Sequence, residues 1–208
     1  MKNKKRTFAS MKKNILSKRR LIDLLLSSNT KPDAINRLME VGKIIYVKKR
    51  TPIIEVGQVC DKGFFVLEGA FIARIYNPSI KKSRTQNFFL EDFNSFMSCE
   101  DSYFSGEKTN TDLLAIKDSM IIQFTKADLE KLIVAHPDLG DFFYNHILVG
   151  ALKQEATFRK ILNSLSNEEM YHYLINECNS VIKNVPSRYI AEFMGISAEW
   201  LSKTKKKV

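Results

Sequence analysis

Residues 185–208 read VPSRYIAEFMGISAEWLSKTKKKV, and this stretch decides the fold. Ala191, Gly195 and Leu201 have the spacing of a helix-turn-helix. A small residue at 191 lets a second helix cross close to the first. Glycine at 195 accepts the positive φ of a sharp turn without a Cβ clash. Leu201 joins Ile190, Phe193 and Ile196 as the apolar wedge between the helices. Ser197 is placed to cap the second helix, its hydroxyl accepting from a free backbone N–H. That helix carries Glu199, Trp200, Ser202, Lys203, Lys205, Lys206 and Lys207, a basic surface suited to a DNA major groove. The plain alternative is a small helical hairpin buried in a core.

Ahead of this stretch the periodicity changes twice. Residues 12–28 have helical spacing, and a short helix follows near Ala34–Met39. From Val41, runs rich in Ile, Val and Phe are closed by turn signals. They predict strands at 43–48, 52–56, 63–68, 70–77, 85–90, 112–117 and 119–124, the pattern of a jelly roll. Thr125 with Asp128 marks a capped helix to Ala135. Pro137 opens a long helix to about Ser164. Its apolar belt at 142–152 is too broad for one stripe, which predicts packing on two sides, with Gly150 and Ala151 permitting close approach. Ser166 with Glu169 caps a further helix through about Ile182, and Ser187 is expected to cap the first helix of the hairpin.

The fold class is therefore α+β: an N-terminal double-stranded β-helix (jelly-roll) effector domain, a long helix, and a C-terminal helix-turn-helix. Residues 1–20 are expected to form a basic, disordered arm. The effector domain takes 21–136, the long helix 137–165 and the hairpin domain 166–208.

Charge is concentrated at the ends. The chain of 208 residues has 33 Lys and Arg against 23 Asp and Glu, a formal net charge of +10. Nine cations and no acid lie in 1–20, and four cations and no acid in 203–208. Removing these thirteen leaves 20 cations against 23 acids, so the body is mildly acidic. A polyanion would be met by the ends rather than by the whole surface. Cys60, Cys99 and Cys178 show no CxxC spacing, which points to a reducing cytoplasm and away from a disulfide framework. His136, His146 and His172 form no ligand pair on a helix face, and the barrel segment 41–124 has no histidine. No metal site, catalytic triad or enzymatic activity is expected. No run approaches the ~18 apolar residues of a membrane span.

Jelly roll, long helix and helix-turn-helix, in that order, resemble the Crp/Fnr family of bacterial transcription regulators. The resemblance covers roughly residues 20–208 and is carried by VGQVCDKGFFVLEGAFIARIY (56–76), TKADLEKLIVAHPDL (125–139) and VPSRYIAEFMGISAEWLSK (185–203). It implies a cytoplasmic homodimer joined by the helix at 137–165, with two recognition helices in successive major grooves of double-stranded DNA. RNA polymerase follows as a further partner.

Carried over residue by residue, Ser197 and Glu199 match the family's recognition helix, Ala198 replaces an arginine, and Lys203 replaces a later arginine. Glu199 would accept from a cytosine amino group and Lys203 would donate to guanine, without the bidentate fork of arginine. Trp200 either packs against the preceding helix or touches sugar or a thymine methyl. Ser187 and Arg188 are candidates for phosphate contacts, and Lys206 extends the basic helix. The family's β-hairpin wing has no counterpart after residue 203, which puts some backbone contacts in doubt. The basic arm is a candidate replacement, its plain alternative being a solvated charge run.

The family's phosphate-binding cassette corresponds to SCEDSYFSGEKTN (98–110). With Gly106 on its internal turn, Cys99 stands at the cassette's Glu, Thr109 at its Arg and Asn110 at its Ser or Thr. Neither charged ligand group is present, so cyclic-nucleotide control is not expected and no cofactor is implied. Ser98, Cys99, Thr109 and Asn110 remain candidates for a pocket holding another effector. The opposing expectation is a ligand-sensing or protein-interaction module whose hairpin no longer reads DNA.

Overall fold

The computed structural model describes residues 18–205. Lys206 and nearly all of the basic arm lie outside the described residues. Helix α1 (18–27) and α2 (Pro32–Val41) precede the strands. The strands are β1 (Lys43–Val47), β2 (Pro52–Ile54), β3 (Lys62–Glu68), β4 (Ala70–Asn77), β5 (Lys82–Leu90), β6 (Phe96–Met97), β7 (Thr111–Ala115) and β8 (Ser119–Thr125). They form two antiparallel four-stranded sheets, ordered β1-β8-β3-β6 and β2-β7-β4-β5. Helix α3 (Glu100–Ser105) interrupts the strand series between β6 and β7. Neither β6 nor α3 stood out in the sequence.

The roll interior is filled by side chains from both sheets, among them Phe64, Val66, Phe71, Phe89, Leu113 and Ile121. Apolar and polar residues do not alternate along the central strands. In β4, Phe71 and Ala73 point inward, while Ala70 and Ile72 belong to a second core outside the roll. Such runs signal burial on both faces, and helices supply the second cover.

Helices α1, α2, α4 (Lys126–Ala135) and α5 (Pro137–Phe142) cover β3 and β8, where Leu21, Leu25, Leu38, Leu139 and Phe142 meet Phe65 and Ile122. Thr125 caps α4 as expected, its hydroxyl accepting from the Asp128 N–H. Pro137 starts α5, and the long helix continues through a π-helical segment (Phe143–Leu148) into α6 (Val149–Ser164).

The other sheet is covered by α6 and by the C-terminal helices α7 (Asn167–Glu177), α8 (Asn179–Asn184), α9 (Ser187–Met194) and α10 (Ala198–Lys205). The Ser166–Glu169 capping box is present at α7. The helix expected to reach Ile182 instead breaks at Cys178, whose φ of −124° lies outside the helical range. Phe193 is buried between Phe88 of the sheet and Phe158 of the long helix, at ring distances of 5.1 and 4.8 Å. The hairpin and the roll thus share one core.

Candidate nucleic-acid interface and effector region

The hairpin forms as its sequence dictates. Gly195 takes φ 72° at the end of α9, and the N–H of Ile196 donates back to the Ala191 carbonyl. Ala191 and Leu201 are buried at the helix crossing. Ser197 caps α10 by accepting from the Trp200 N–H at 3.1 Å. Trp200 is half-buried and packs against the shared core.

Glu199, Ser202 and Lys203 are left exposed on α10. The Glu199 carboxyl is held below its usual range by its own backbone N–H, then by the Ser197 hydroxyl and the nearby Lys203 charge. It is therefore an ionised acceptor at neutral pH, beside the Lys203 side chain.

Ser187 is exposed at the start of α9 but does not cap it. Pro186 occupies the cap position, and the Ser187 hydroxyl accepts from the Lys205 ammonium at 2.6 Å. Proline fixes φ at the entry and has no side-chain acceptor, so α9 has no side-chain cap, and the Tyr189 N–H donates to the Pro186 carbonyl. The Arg188 guanidinium lies over the Tyr189 ring, 4.4 Å from its centroid. Arg188 also borders a cleft of about 170 Å³ shared with Lys49, Arg50, Ile116, Pro186 and Tyr189. Lys49 and Arg50 belong to the turn between β1 and β2, where Arg50 adopts φ 68° and donates its N–H to the Ala115 carbonyl. The roll therefore adds two cations to the edge of the hairpin. Sequence reasoning missed them, although the run Lys48-Lys49-Arg50 was visible.

Polar contacts fix the hairpin on the sheet. The Arg84 guanidinium donates to the carbonyls of Glu192 and Phe193 at 2.9 Å each, satisfying the last turn of α9. The Thr85 hydroxyl donates to the Glu192 carboxylate at 2.7 Å, and the Lys117 ammonium to the Asn184 side chain at 2.6 Å. Beside them Arg74 and Asp112 form a two-pronged ion pair across β4 and β7.

The cassette segment closes on itself. Gly106 takes φ 76° after α3, the internal turn expected of it. Cys99 is buried in the roll interior, and Thr109 is buried with its hydroxyl donating to Asp101. Asn110 is exposed, its side-chain carbonyl accepting from the Thr111 hydroxyl. Ser98 is half-buried and donates to the Lys62 carbonyl. The Ser102 hydroxyl accepts from the Cys60 N–H and donates to the Glu107 carbonyl. Thr109 thus presents a neutral hydroxyl that is directed at a carboxylate. Cys60 lies at about 6, because the neighbouring Cys99 stabilises its thiolate, while the same contact pushes Cys99 up.

No helix among the described residues is long and apolar enough to cross a membrane. No family model and no curated protein sequence matches this chain. Solved structures do match it. FixK2 from Bradyrhizobium japonicum aligns with a TM-score of 0.67 at 14% identity, covering 80% of this chain and 84% of its own. The c-di-GMP responsive global regulator CLP from Xanthomonas campestris gives 0.64 at 14%, covering 85% and 91%. A protein described as a Crp/Fnr-family transcriptional regulator from Eubacterium rectale gives 0.64 at 12%, covering 88% and 85%. The fold is therefore that of these regulators: a β-roll, a long helix and a C-terminal helical domain.

Proposed function

We propose that this chain is a sequence-specific, DNA-binding transcription regulator of the Crp/Fnr type, acting in the cytoplasm as a homodimer and not governed by cyclic AMP. It is not an enzyme, and RNA polymerase is the machinery it acts on. The observation that carries the proposal is α10, a capped helix whose exposed face presents Glu199 and Lys203 while Leu201 and Trp200 hold its other face on the core.

Tyr144, Leu148 and Leu152 support the dimer. They are exposed large apolar residues one turn apart along the long helix, a stripe suited to a second copy of that helix. Independence from cyclic AMP is supported by the cassette, where Cys99 and Thr109 replace the charged ligands and Asp101 would repel a phosphate. Arg188, Lys205, Lys49 and Arg50 supply cations for the DNA backbone around the start of α9.

The test is binding of the purified protein to its own upstream DNA at two salt concentrations. Glu199→Ala and Lys203→Ala should each weaken specific binding by about 1–3 kcal/mol. Full-strength, sequence-selective binding by both variants would overturn the assignment of α10. Absence of any selective binding by the wild type would favour a hairpin that serves only protein contacts.

A further inference from the structure

On the opposite side of the roll from the hairpin, a groove of about 360 Å³ runs between the open end of β3 and β6, helices α3 and α4, and the π-helical segment. Its size is that of a small-molecule site. Its walls are largely aromatic: Phe64, Phe96, Tyr103, Phe104, Phe143 and Tyr144. The charged side chains among the lining residues are two carboxylates, Glu100 and Glu130. Neither forms an ion pair among the described residues. Of the effector candidates in the cassette, only Ser98 reaches this groove; Cys99 faces the roll interior and the Thr109 hydroxyl is turned to Asp101.

The lining specifies a charge sign. Aromatic faces carry negative potential and attract cations. The Lys126 ammonium shows this within the molecule, lying 5.3 Å from the Tyr103 ring centroid and donating to the Tyr103 carbonyl. The Glu100 carboxyl opens into the groove, yet the protein around it raises its pKa, first by desolvation and then by repulsion from Asp101, Cys60 and Glu155. A cation in the groove would offset that cost, and an anion would add to it.

We infer that this groove binds a small amphipathic cation, an aryl- or alkylamine whose apolar body lies between the aromatic walls and whose ammonium meets Glu100 and Glu130. The π-helical segment supplies Phe143, Tyr144, Ile147 and Leu148 to the walls. Such segments occur often at functional sites. A bound amine would touch both α3 and the stripe assigned to dimer contact. The binding inference stands on the groove alone and holds whether or not the hairpin reads DNA.

The experiment is calorimetric titration of the full chain with phenylbutylamine, phenylbutanol and phenylbutyrate, three probes with one apolar body and different heads. The amine should bind at least about tenfold more tightly than the carboxylate, with the alcohol between them; tenfold corresponds to about 1.4 kcal/mol. Glu100→Gln should shrink the amine preference several-fold and leave alcohol binding unchanged. Glu130→Gln should act the same way more weakly, and circular dichroism should confirm that both variants fold. Ala151→Phe, at the groove wall, should abolish binding of all three. Equal binding of amine and carboxylate, or an amine preference that survives both glutamine variants, would overturn the inference. So would a dimer that takes up no probe, since its partner helix would then fill the groove.

Discussion

The two sheets of the roll are alike inside and unlike outside. Both bury apolar residues on both faces, yet β1-β8-β3-β6 is covered by helices that flank the roll in sequence, and β2-β7-β4-β5 by the hairpin domain. The first cover leaves an aromatic groove lined by two carboxylates. The second ends in a cleft edged by Lys49, Arg50 and Arg188. The difference shows that the hairpin is not tethered beside the roll. It is the second wall of the roll's sheet, so its position is set by sheet residues such as Phe88 and Arg84.

Removing the central ring tests this most severely. Phe193→Ala should cost about 3–5 kcal/mol of stability, the range for a buried phenylalanine. Wild-type urea unfolding should show one transition, coincident by Trp200 fluorescence and by far-UV circular dichroism. Trp200 is the sole tryptophan and packs on the shared core. Two separated transitions would show that hairpin and roll fold independently. Phe142→Ala, on the other cover, should cost a similar amount but leave Trp200 emission of the folded protein unchanged.

Arg84→Ala sharpens the comparison at the rim. It removes two charge-assisted bonds to the end of α9. Hydrogen bonds to charged groups contribute about 1.5–3 kcal/mol each in well-buried settings. Arg84 is partly solvent-screened, so a loss of about 1–2 kcal/mol is expected by urea unfolding. A neutral result would leave apolar packing alone to seat the hairpin.

Arg50→Ala asks whether the effector domain reaches DNA. Affinity should fall only a few-fold. The slope of log affinity against log salt should become shallower by about 0.9, the value for one phosphate contact. Arg50 donates its backbone N–H to Ala115 and adopts a positive φ, so glycine at 50 provides a control for backbone relief. An unchanged salt slope would restrict the interface to the hairpin.

What the sequence revealed follows from how far apart the interacting residues lie. Gly195, Ser197 and Leu201 act over a few residues, and the structure places each as its chemistry predicts. The capping pairs Thr125–Asp128 and Ser166–Glu169 were legible for the same reason. Ser187 failed because Pro186 occupies the cap position and Lys205, eighteen residues away, engages the hydroxyl. The break at Cys178 has no proline or glycine to announce it. The two-residue strand β6 is too short for a period to show. Lys49 and Arg50 meet Arg188 only through the tertiary fold, and the groove gathers residues from eight separate elements. Local chemistry was readable; recesses built from distant segments were not.

The smallest expected effect concerns the groove side. Desolvation raises the Glu100 carboxyl, so the folded chain holds that proton more tightly than the unfolded chain does. Its contribution to stability is therefore complete below the unfolded pKa, near 4.3 for a glutamate, and is lost as pH rises through the folded value. Once ionised, the carboxylate costs stability, and Glu100→Gln removes that cost. Because the carboxyl opens into solvent, the gain is small, a rise in thermal midpoint of about 1 °C at pH 7. The two proteins should converge as pH falls towards 4. Saturating phenylbutylamine should narrow the gap at pH 7, because its ammonium offsets the Glu100 charge in the wild type and meets only Glu130 in the variant. If the midpoints instead diverge on acidification, Glu100 stabilises the fold as an ionised group, and the groove's charge has been assigned the wrong role.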